Sequence, residues 1–286
     1  MDNLRRDVLG WYAKHARELP WRDPAASAWG VLVSELMLQQ TQVKRVLPVW
    51  QAWLEEWPTP AALAAAPSGA AVRAWGRLGY PRRALHLHAA ATAIVQRHGG
   101  SVPQEYDELR RLPGVGDYTA SAVASFAYGR RHAVLDTNVR RVLARAVSGR
   151  QWAPLSVTAA ERALAESLVP SAEPATWAVA VMELGALVCT PKPRCSVCPV
   201  ESLCAWRRAG MPAYVGPRPR VQTYAGTDRQ CRGRLLAVVR ESEGSVPRHR
   251  LDEIWPDAHQ RQRALSGLVD DGLVVELPGS SYALPG

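Results

Sequence analysis

Helix-forming segments follow one another along the first 210 residues of this chain, and segments with strand character are nearly absent there. Residues 28–56 have helical composition, interrupted at Pro48, and residues 59–76 and 81–98 repeat the pattern between prolines and glycines. Short helices separated by turns predict an all-α globule in which non-parallel helices pack around a core. The fold class that we expect is therefore mostly α.

The chain changes character after a segment rich in proline and glycine, which we interpret as a linker over 213–227. Helical patterns follow at 229–241, 248–254 and 259–269. Residues 272–284 then form two apolar runs around Pro-Gly-Ser-Ser, which predicts a hairpin. Three helices and a terminal hairpin indicate a small α+β winged-helix-like domain over 228–286.

The positive charge of the chain is unevenly distributed. Its 286 residues include 35 Lys+Arg and 26 Asp+Glu, a net charge of +9. Residues 213–286 carry ten Arg against nine acidic residues, so about +8 belongs to residues 1–212. That excess favours a polyanion such as nucleic acid as the partner. A basic protein that binds no anion is the alternative.

No segment approaches the ~18 uncharged apolar residues of a membrane span. The first twenty residues scatter charge among apolar residues instead of forming the apolar core of a signal peptide. We therefore expect a cytoplasmic protein that does not contact a membrane.

A glycine-rich turn separates two predicted helices, one at 105–111 and one that begins at Asp117. Glycines permit a tight turn, and the free N–H groups at the start of the second helix can hold a phosphate. The pattern predicts a helix-hairpin-helix in which Gly114, Val115 and Gly116 bind the DNA backbone independently of sequence. A glycine-rich helix corner without a ligand is the alternative.

Two carboxylates stand at positions suited to acid chemistry. Glu35 lies within 31–38, a helix that is apolar nearly all round and therefore predicted to be buried. A buried carboxyl favours its protonated, proton-donating form, although a structural pair with an arginine is the alternative. Asp136 precedes a helix, so it either caps that helix or faces a cleft, where it would stabilise a cation.

Four of the five cysteines fall within sixteen residues, with the spacing Cys189-x5-Cys195-x2-Cys198-x5-Cys204. Disulfides are unusual in a cytosolic chain, so this cluster predicts a metal centre. Zinc normally uses two close pairs of ligands and only one is present, whereas four thiolates in one compact loop suit a [4Fe–4S] cluster. Zinc remains the alternative.

Together these motifs resemble the helix-hairpin-helix DNA glycosylases that carry an iron–sulfur cluster, and within them the MutY-type adenine DNA glycosylases. The matching stretches are Leu19–Arg22, Ser34–Val43, Leu78–Tyr80, Leu112–Thr119, Leu135–Leu143 and Glu183–Cys189. The run Ser-Glu-Leu-Met-Leu-Gln-Gln-Thr is the most specific of them. The resemblance implies a six-helix barrel domain at 25–136 that contains the hairpin, and an iron–sulfur helical domain formed by 1–24 and 137–212.

The resemblance also implies an activity, the hydrolysis of the N-glycosidic bond of adenine mispaired with 8-oxoguanine or guanine in double-stranded DNA. Glu35 would protonate the flipped adenine, and Asp136 would stabilise the oxocarbenium character of the sugar. Tyr118 and Asn138 match positions that help to place these groups. Endonuclease III-like lyases carry a Schiff-base lysine where Tyr118 stands, so we expect a monofunctional glycosylase with little strand cleavage.

Further DNA contacts follow from the same resemblance and involve Arg22, Gln40, Thr41, Leu78 and Tyr80. Removal of a base from duplex DNA leaves a gap that some side chain must fill. An apolar wedge at Leu78 and Tyr80, beside a glycine, suits that insertion. Packing of Leu78 in the core is the alternative.

Several features depart from the family pattern, and two of them concern the cysteine loop and the tail. The first cysteine gap holds five residues rather than the usual six, and the 74 residues after 212 are too few for the domain that recognises 8-oxoguanine in typical members. The tail is similar to that of shorter actinobacterial members, and its near-neutral charge favours a docking or packing module over autonomous DNA binding.

The rival functions are a thymine or uracil mismatch glycosylase and a catalytically silent DNA-binding protein. We expect a monomer.

Overall fold

The computed structural model describes residues 2–216 and 224–286, so the predicted linker lies partly outside the described residues. The chain divides into two compact units, each made of several segments. The first unit comprises Met1–Val31, Gln104–Arg110 and Val115–Pro219, and the second comprises Leu32–Pro103, Arg111–Gly114 and Arg220–Gly286. These limits do not coincide with the domain boundaries expected after residues 24 and 136.

The described residues are mainly helical, as predicted, with three short strands near the carboxyl terminus. The helices are α1 (Asp2–His15), α2 (Ala28–Leu38), α3 (Val43–Glu56), α4 (Pro60–Ala65), α5 (Ser68–Trp75), α6 (Arg82–His98), α7 (Tyr106–Arg110), α8 (Asp117–Tyr128), α9 (Thr137–Ala146), α10 (Ala159–Leu168), α11 (Pro174–Leu187), α12 (Ala205–Arg208), α13 (Asp228–Glu241), α14 (Arg248–Asp252) and α15 (Ala258–Asp270). The strands are β1 (Val246–Pro247), β2 (Val275–Leu277) and β3 (Ser281–Ala283). None of the helices in the described ranges is both long and apolar enough to cross a bilayer.

The core of the first unit lies among α1, α9 and α11. Its buried side chains include Val8 of α1, Val142 of α9, and Trp177 and Leu184 of α11. Residues three and four apart on a helix share one face, so the apolar residues of α9 pack into this core, and Arg141 and Arg145 of the same helix are buried as well. This core supports the start of α9, where Asp136 stands.

In the second unit, α2 to α6 correspond to the predicted helical segments, but the expected interruption at Pro48 is wrong. Helix α3 continues through Pro48, and the chain breaks earlier, between α2 and α3. There Gln40 adopts a left-handed conformation with φ of 56°, which ends a right-handed helix. Farther along, Thr59 caps α4 by accepting a hydrogen bond from the Ala62 N–H.

The carboxyl-terminal residues of the second unit form the predicted winged-helix-like arrangement. Thr227 and Asp257 cap α13 and α15, and Leu235, Leu265 and Tyr282 are buried in the core between the helices and the sheet. The predicted hairpin is formed by β2 and β3. Strand β1, which the pattern did not reveal because it has two residues, pairs with the other edge of β3, and all pairings are antiparallel.

Candidate active site

The predicted helix-hairpin-helix is present, as α7, a turn and α8. Gly114 in the turn has φ of 75°, and a Cβ added there would lie 2.5 Å from the Cβ of His86, so only glycine fits. Gly116 caps α8, with extended backbone and no side-chain cap. Gly114 and Gly116 are exposed and Val115 is buried. The turn therefore presents the amino end of α8, a feature suited to binding a phosphate.

Glu35 lies near the middle of α2 and is 5% exposed, which confirms the predicted burial. All residues from Val31 to Met37 are buried, including Ser34 at 0% exposed. Glu35 belongs to the second unit, together with Gln40, Thr41, Leu78, Tyr80 and Gly114; the other predicted site residues belong to the first. The Glu35 side chain is therefore largely removed from solvent.

Asp136 caps α9. The sequence had left open whether it has this structural role or a catalytic one. Its Oδ1 accepts a hydrogen bond from the Val139 N–H at 2.6 Å, and its Oδ2 accepts one from Asn138 Nδ2 at 2.7 Å. Burial raises the pKa of this carboxyl above its usual range, against the lowering effect of the two hydrogen bonds. Both carboxylate oxygens are fixed in position.

The orientation of Asn138 is itself determined by the groups around it. Its Oδ1 accepts a hydrogen bond from Arg141 Nη2 at 2.7 Å, and the same guanidinium donates to the carbonyls of Gly185, at 2.7 Å, and Cys189, at 2.6 Å. A Cβ on Gly185 would lie 2.7 Å from the Cβ of Asn138, so glycine allows α9 and α11 to approach closely. Arg141 therefore joins the Asp136 cap to the start of the cysteine loop.

Tyr118 occupies the first turn of α8 and is partly buried. Its ring packs against a small apolar cluster formed by Ala122, Val134 and Ala178. Val134 lies two residues before Asp136 in the chain, so the same cluster supports both. Within the first unit the structure thus brings Tyr118, Asp136 and Asn138 into neighbouring segments.

Arg22 is occupied by a structural contact. Its Nη2 lies 2.9 Å from Oε2 of Glu183, whose side chain is 0% exposed, and Arg17 makes a second ion pair with the same carboxylate. Burial alone would raise the pKa of Glu183, but the hydrogen bonds and charges of the two arginines hold it below its usual value. This pairing engages Nη2 of Arg22, whereas its Nη1 is buried without a hydrogen-bond partner among the described residues, and the predicted DNA contact stays a prediction.

Two turns of the second unit lie side by side, residues 39–41 and residues 76–81, and we call them the double turn. Thr41 Oγ1 lies 3.3 Å from the Leu78 carbonyl oxygen and donates to it. Gln40 and Tyr80 both have positive φ, 56° and 48°, which is rare for residues other than glycine. Tyr80 is 48% exposed whereas Leu78 is 3% exposed, so Leu78 is packed inside and Tyr80 is presented to solvent.

Arg83 holds the double turn together, and the sequence reasoning did not identify it. Its guanidinium donates to the carbonyls of Leu36 at 2.8 Å and of Gly79 at 3.0 Å, and to Thr41 Oγ1 at 3.1 Å. It also lies over the rings of Trp75 and Tyr80, 5.2 and 5.5 Å from their centroids. Burial lowers the pKa of Arg83 to about 10. Sequence periodicity carries no signal for such a contact, because the partners are remote in the chain.

The four clustered cysteines line one recess in the first unit: Cys189, Cys195, Cys198 and Cys204. The five-residue first gap therefore still brings all four thiols to the same place. In the described ranges, no three His, Cys, Asp or Glu side chains converge as they would around a single metal ion. Four thiols that line one recess are the ligand set of an iron–sulfur cluster, and zinc also binds four cysteines, so zinc stays the alternative.

A buried arginine lies beside these thiols. Arg145 is 1% exposed and lies 3.5 Å from Sγ of Cys189, and it donates to the Thr190 carbonyl at 2.7 Å. Its guanidinium lies over the rings of Trp152 and Trp206, at 5.2 and 5.1 Å. Burial raises the pKa of the Cys189 thiol, while Arg145 opposes that shift. A positive charge at this place favours the thiolate that a metal requires.

Comparisons with known proteins agree with this geometry. The HhH-GPD superfamily of base excision DNA repair proteins matches residues 33–168. The adenine DNA glycosylase of Mycobacterium tuberculosis is 52% identical over 283 residues, which cover 98% of this chain and 93% of that protein. The adenine DNA glycosylase of Homo sapiens is 43% identical over 216 residues, which cover 72% of this chain but 39% of that protein. A solved thermostable thymine-DNA glycosylase superposes with a TM-score of 0.67 at 26% identity, over 73% of this chain and 96% of that one.

The mycobacterial alignment includes the winged-helix-like residues as well as the helical units, because it covers nearly the whole of both chains. The resemblance inferred from the Glu35 run, the hairpin and the cysteine spacing is confirmed by these matches. The chain belongs to the adenine DNA glycosylase family, within the HhH-GPD superfamily of base excision DNA repair proteins.

Proposed function

We propose that this protein is a monofunctional DNA glycosylase of base-excision repair, which removes adenine mispaired with 8-oxoguanine or guanine from double-stranded DNA. The observation that carries the proposal is the Asp136 carboxylate, held by Val139 and Asn138 in a chain of this family. A fixed carboxylate is suited to stabilising positive charge that develops on the sugar, because it needs no reorganisation during the reaction.

The reaction requires an acid and a charge stabiliser. Glu35, enclosed in α2 and shielded from water, donates a proton to the adenine as the base departs. Asp136 stabilises the cationic sugar, and water completes the hydrolysis. Tyr118, at the start of α8, carries no amine, and none of the three lysines of the chain lies in the hairpin or in α8. Because a Schiff base requires an amine, none forms there.

The DNA backbone binds at the amino end of α8, where Gly114 and Gly116 are exposed. The double turn contacts the target base pair. Tyr80 is the residue that is ready to enter the base stack, because it is half exposed, whereas Leu78 has to leave its packed position to act as a wedge. Gln40 is exposed beside Tyr80 and suits a polar contact with the orphaned base.

We infer that the recess formed by Cys189, Cys195, Cys198 and Cys204 holds a [4Fe–4S] cluster. Thiolates of these four residues would hold the cluster, and their bonds to it would cross-link the loop 189–204. Arg145 compensates the negative charge of the Cys189 thiolate, and Arg141 fixes the backbone at Cys189 by bonding to its carbonyl. We also propose that the protein acts as a monomer in the cytoplasm. Sedimentation of the protein bound to one duplex tests the oligomeric state.

One assay separates the proposed function from its rivals. Single-turnover base release is measured on duplexes that contain A:8-oxoguanine, A:G, T:G or U:G, followed by alkali to cleave the abasic product. Release of adenine alone, with strand breaks that appear only after alkali, is the expected result. Release only from T:G or U:G indicates a thymine or uracil glycosylase, and no release from any duplex indicates a DNA-binding protein without activity.

A further inference from the structure

We propose that the winged-helix-like domain, residues 224–286, is a brace that holds the turn 76–81 in the conformation needed to contact the target base pair, with Arg240 as a positioning residue. This inference rests on the proposed role of the double turn in DNA contact. It gives the carboxyl-terminal domain a task that does not require that domain to touch DNA.

The end of α5 and the end of α13 exchange hydrogen bonds. Arg240 Nη1 donates to the carbonyl of Gly76, the residue that ends α5 and begins the turn. In the reverse direction, Arg73 donates to the carbonyls of Arg240 and, at 2.9 Å, of Ser242. The Arg240 side chain is 11% exposed, so its bond to Gly76 is partly shielded from water, whereas the two bonds of Arg73 lie at the surface. Hydrogen bonds from a charged donor are stronger than those between neutral groups.

The other side of the turn is held as well. Asp271, which follows α15, lies 3.3 Å from Arg82 at the start of α6, and it also pairs with Arg232 of α13. At the amino end of α5, the Gly69 N–H donates to the carbonyl of Pro285 at 2.9 Å, and a Cβ on Gly69 would collide with that carbonyl oxygen. The domain therefore contacts both helices that the turn connects.

The conformation of the turn explains why it needs support. Gly76, Gly79 and Tyr80 all have positive φ. A residue such as Tyr80 is strained in this region, and the strain persists only where surrounding contacts fix the backbone. Arg83 of α6 supplies one such contact, a hydrogen bond to the Gly79 carbonyl. Arg240 supplies one from the carboxyl-terminal domain, at Gly76.

The charges of the domain favour this role over DNA binding. Arg232, Arg248 and Arg261 are engaged in ion pairs with Asp271 and Asp252 of the same domain. Arg229 and Arg234 lie over the rings of Tyr224 and Trp255. Most of its arginines thus stabilise the domain itself or its contact with α5 and α6, and few remain for phosphates.

The test compares Arg240→Ala, Arg240→Lys and the control Arg250→Ala, which removes an exposed arginine from α14 of the same domain. Three quantities are measured: the single-turnover rate of adenine release, the affinity for an undamaged duplex, and hydrogen–deuterium exchange of the amides in 76–80. For Arg240→Ala we expect faster exchange at 76–80, unchanged exchange at 112–116, and a release rate reduced about tenfold with affinity for undamaged DNA retained. Arg240→Lys recovers part of the rate because it keeps a donor, and Arg250→Ala behaves as wild type.

Exchange at 76–80 that is the same in Arg240→Ala and wild type overturns the brace, as does a wild-type release rate in Arg240→Ala. A rate loss that follows a general loss of protection over the whole chain also overturns it, because the effect is then one of stability. If the wild-type protein releases no adenine, the proposed function fails, and the exchange comparison still decides whether the domain holds the turn.

Discussion

At the scale of single residues, two carboxylates have different surroundings. Asp136 has both oxygens occupied by the Val139 N–H and Asn138 Nδ2, so it is held in position as a cap. Glu35 lies on a helix whose neighbouring residues are all buried. Different surroundings adapt carboxyl groups to different tasks. The proposed division of roles assigns charge stabilisation to Asp136, whose hydrogen bonds oppose the rise in pKa that burial causes, and proton donation to Glu35.

Glu35→Gln removes the proton that the leaving base needs and keeps the shape of the side chain. We expect adenine release to fall about 1,000-fold while duplex affinity stays within about twofold, since general acid catalysis contributes about 10²–10⁴ in rate. Single-turnover assays and fluorescence anisotropy measure the two quantities. Glu55→Gln, an exposed position on α3, is the control. An active Glu35→Gln enzyme would exclude Glu35 as the acid.

The variant Asp136→Asn tests the negative charge of Asp136 separately from its role as a helix cap. Asparagine keeps the Oδ1 acceptor of the cap but places an amide donor opposite Asn138 Nδ2, so we expect only a small fall in the thermal midpoint, while loss of the negative charge should reduce adenine release by about 100-fold or more. Asp136→Ala should lose the activity and also about 1 kcal/mol of stability, because the cap is removed. If the asparagine variant kept wild-type activity, the cap alone would explain Asp136.

At the scale of secondary-structure elements, the helix-hairpin-helix depends on one glycine more than on the other. Gly114 has positive φ and meets His86, whereas Gly116 has φ of −89° and a Cβ there would meet no atom within 4 Å. The two glycines look equivalent in the motif. The structure assigns the conformational requirement to Gly114.

Gly114→Ala should therefore distort the turn and lower duplex affinity about tenfold, with a loss of stability of about 1–3 kcal/mol. Gly116→Ala is the matched control, and we expect its stability to stay within about 1 kcal/mol of wild type. Binding to undamaged duplexes and urea unfolding provide the comparison. Equal effects of the two substitutions would contradict the assignment of the requirement to Gly114.

The segment before α2 is tied to α11 by the ion pairs of Arg17 and Arg22 with Glu183. Because the folded-state pKa of Glu183 lies below its usual value of 4.5, the ionised carboxylate stabilises the protein above about pH 4.5. This contribution is lost as the pH falls through the lowered pKa. Glu183→Gln should cost about 3 kcal/mol at neutral pH, because it leaves buried arginine charge unpaired.

The stability difference between wild type and Glu183→Gln should shrink in acid, because protonation removes the negative charge of the wild-type carboxyl. Urea midpoints of both proteins at neutral pH and at about pH 3 measure it. Arg6→Gln, on the exposed side of α1, controls for loss of a surface charge pair. A difference that stays constant from neutral pH to acid would contradict the pKa shift.

At the scale of the whole molecule, the four cysteines close a loop that the rest of the first unit surrounds with arginines. Iron and acid-labile sulfide should each be present at about four per chain, and stoichiometric zinc in a colourless protein would contradict the cluster. Cys198→Ser should lose iron and reduce duplex affinity, because the loop 189–204 is no longer fixed. Cys231→Ser, a buried cysteine outside the recess, is the control and should retain full iron content.

Much of the architecture was predictable because it depends on local patterns. Glycine spacing predicted the hairpin, apolar periodicity predicted most helices and the buried Glu35, and cysteine spacing predicted a shared recess. Arg83 and Arg240 were not predictable, since their hydrogen bonds reach residues up to 47 and 164 positions away in the chain. The packed state of Leu78 was left open for the same reason. Long-range contacts of this kind leave no periodic trace in a sequence.

The segmentation of the two units bears on how the chain is made. Met1–Val31 belongs with Val115–Pro219, and Leu32–Pro103 belongs with residues beyond 220, so neither unit can close on the ribosome before most of the chain has been synthesised. Proteins usually fold domain by domain as they emerge. Here the earliest helices must wait for late partners, and the contact of Pro285 with Gly69 is among the last to form. Nascent chains that stall before this point would keep the apolar faces of these helices exposed, and exposed apolar surface promotes aggregation.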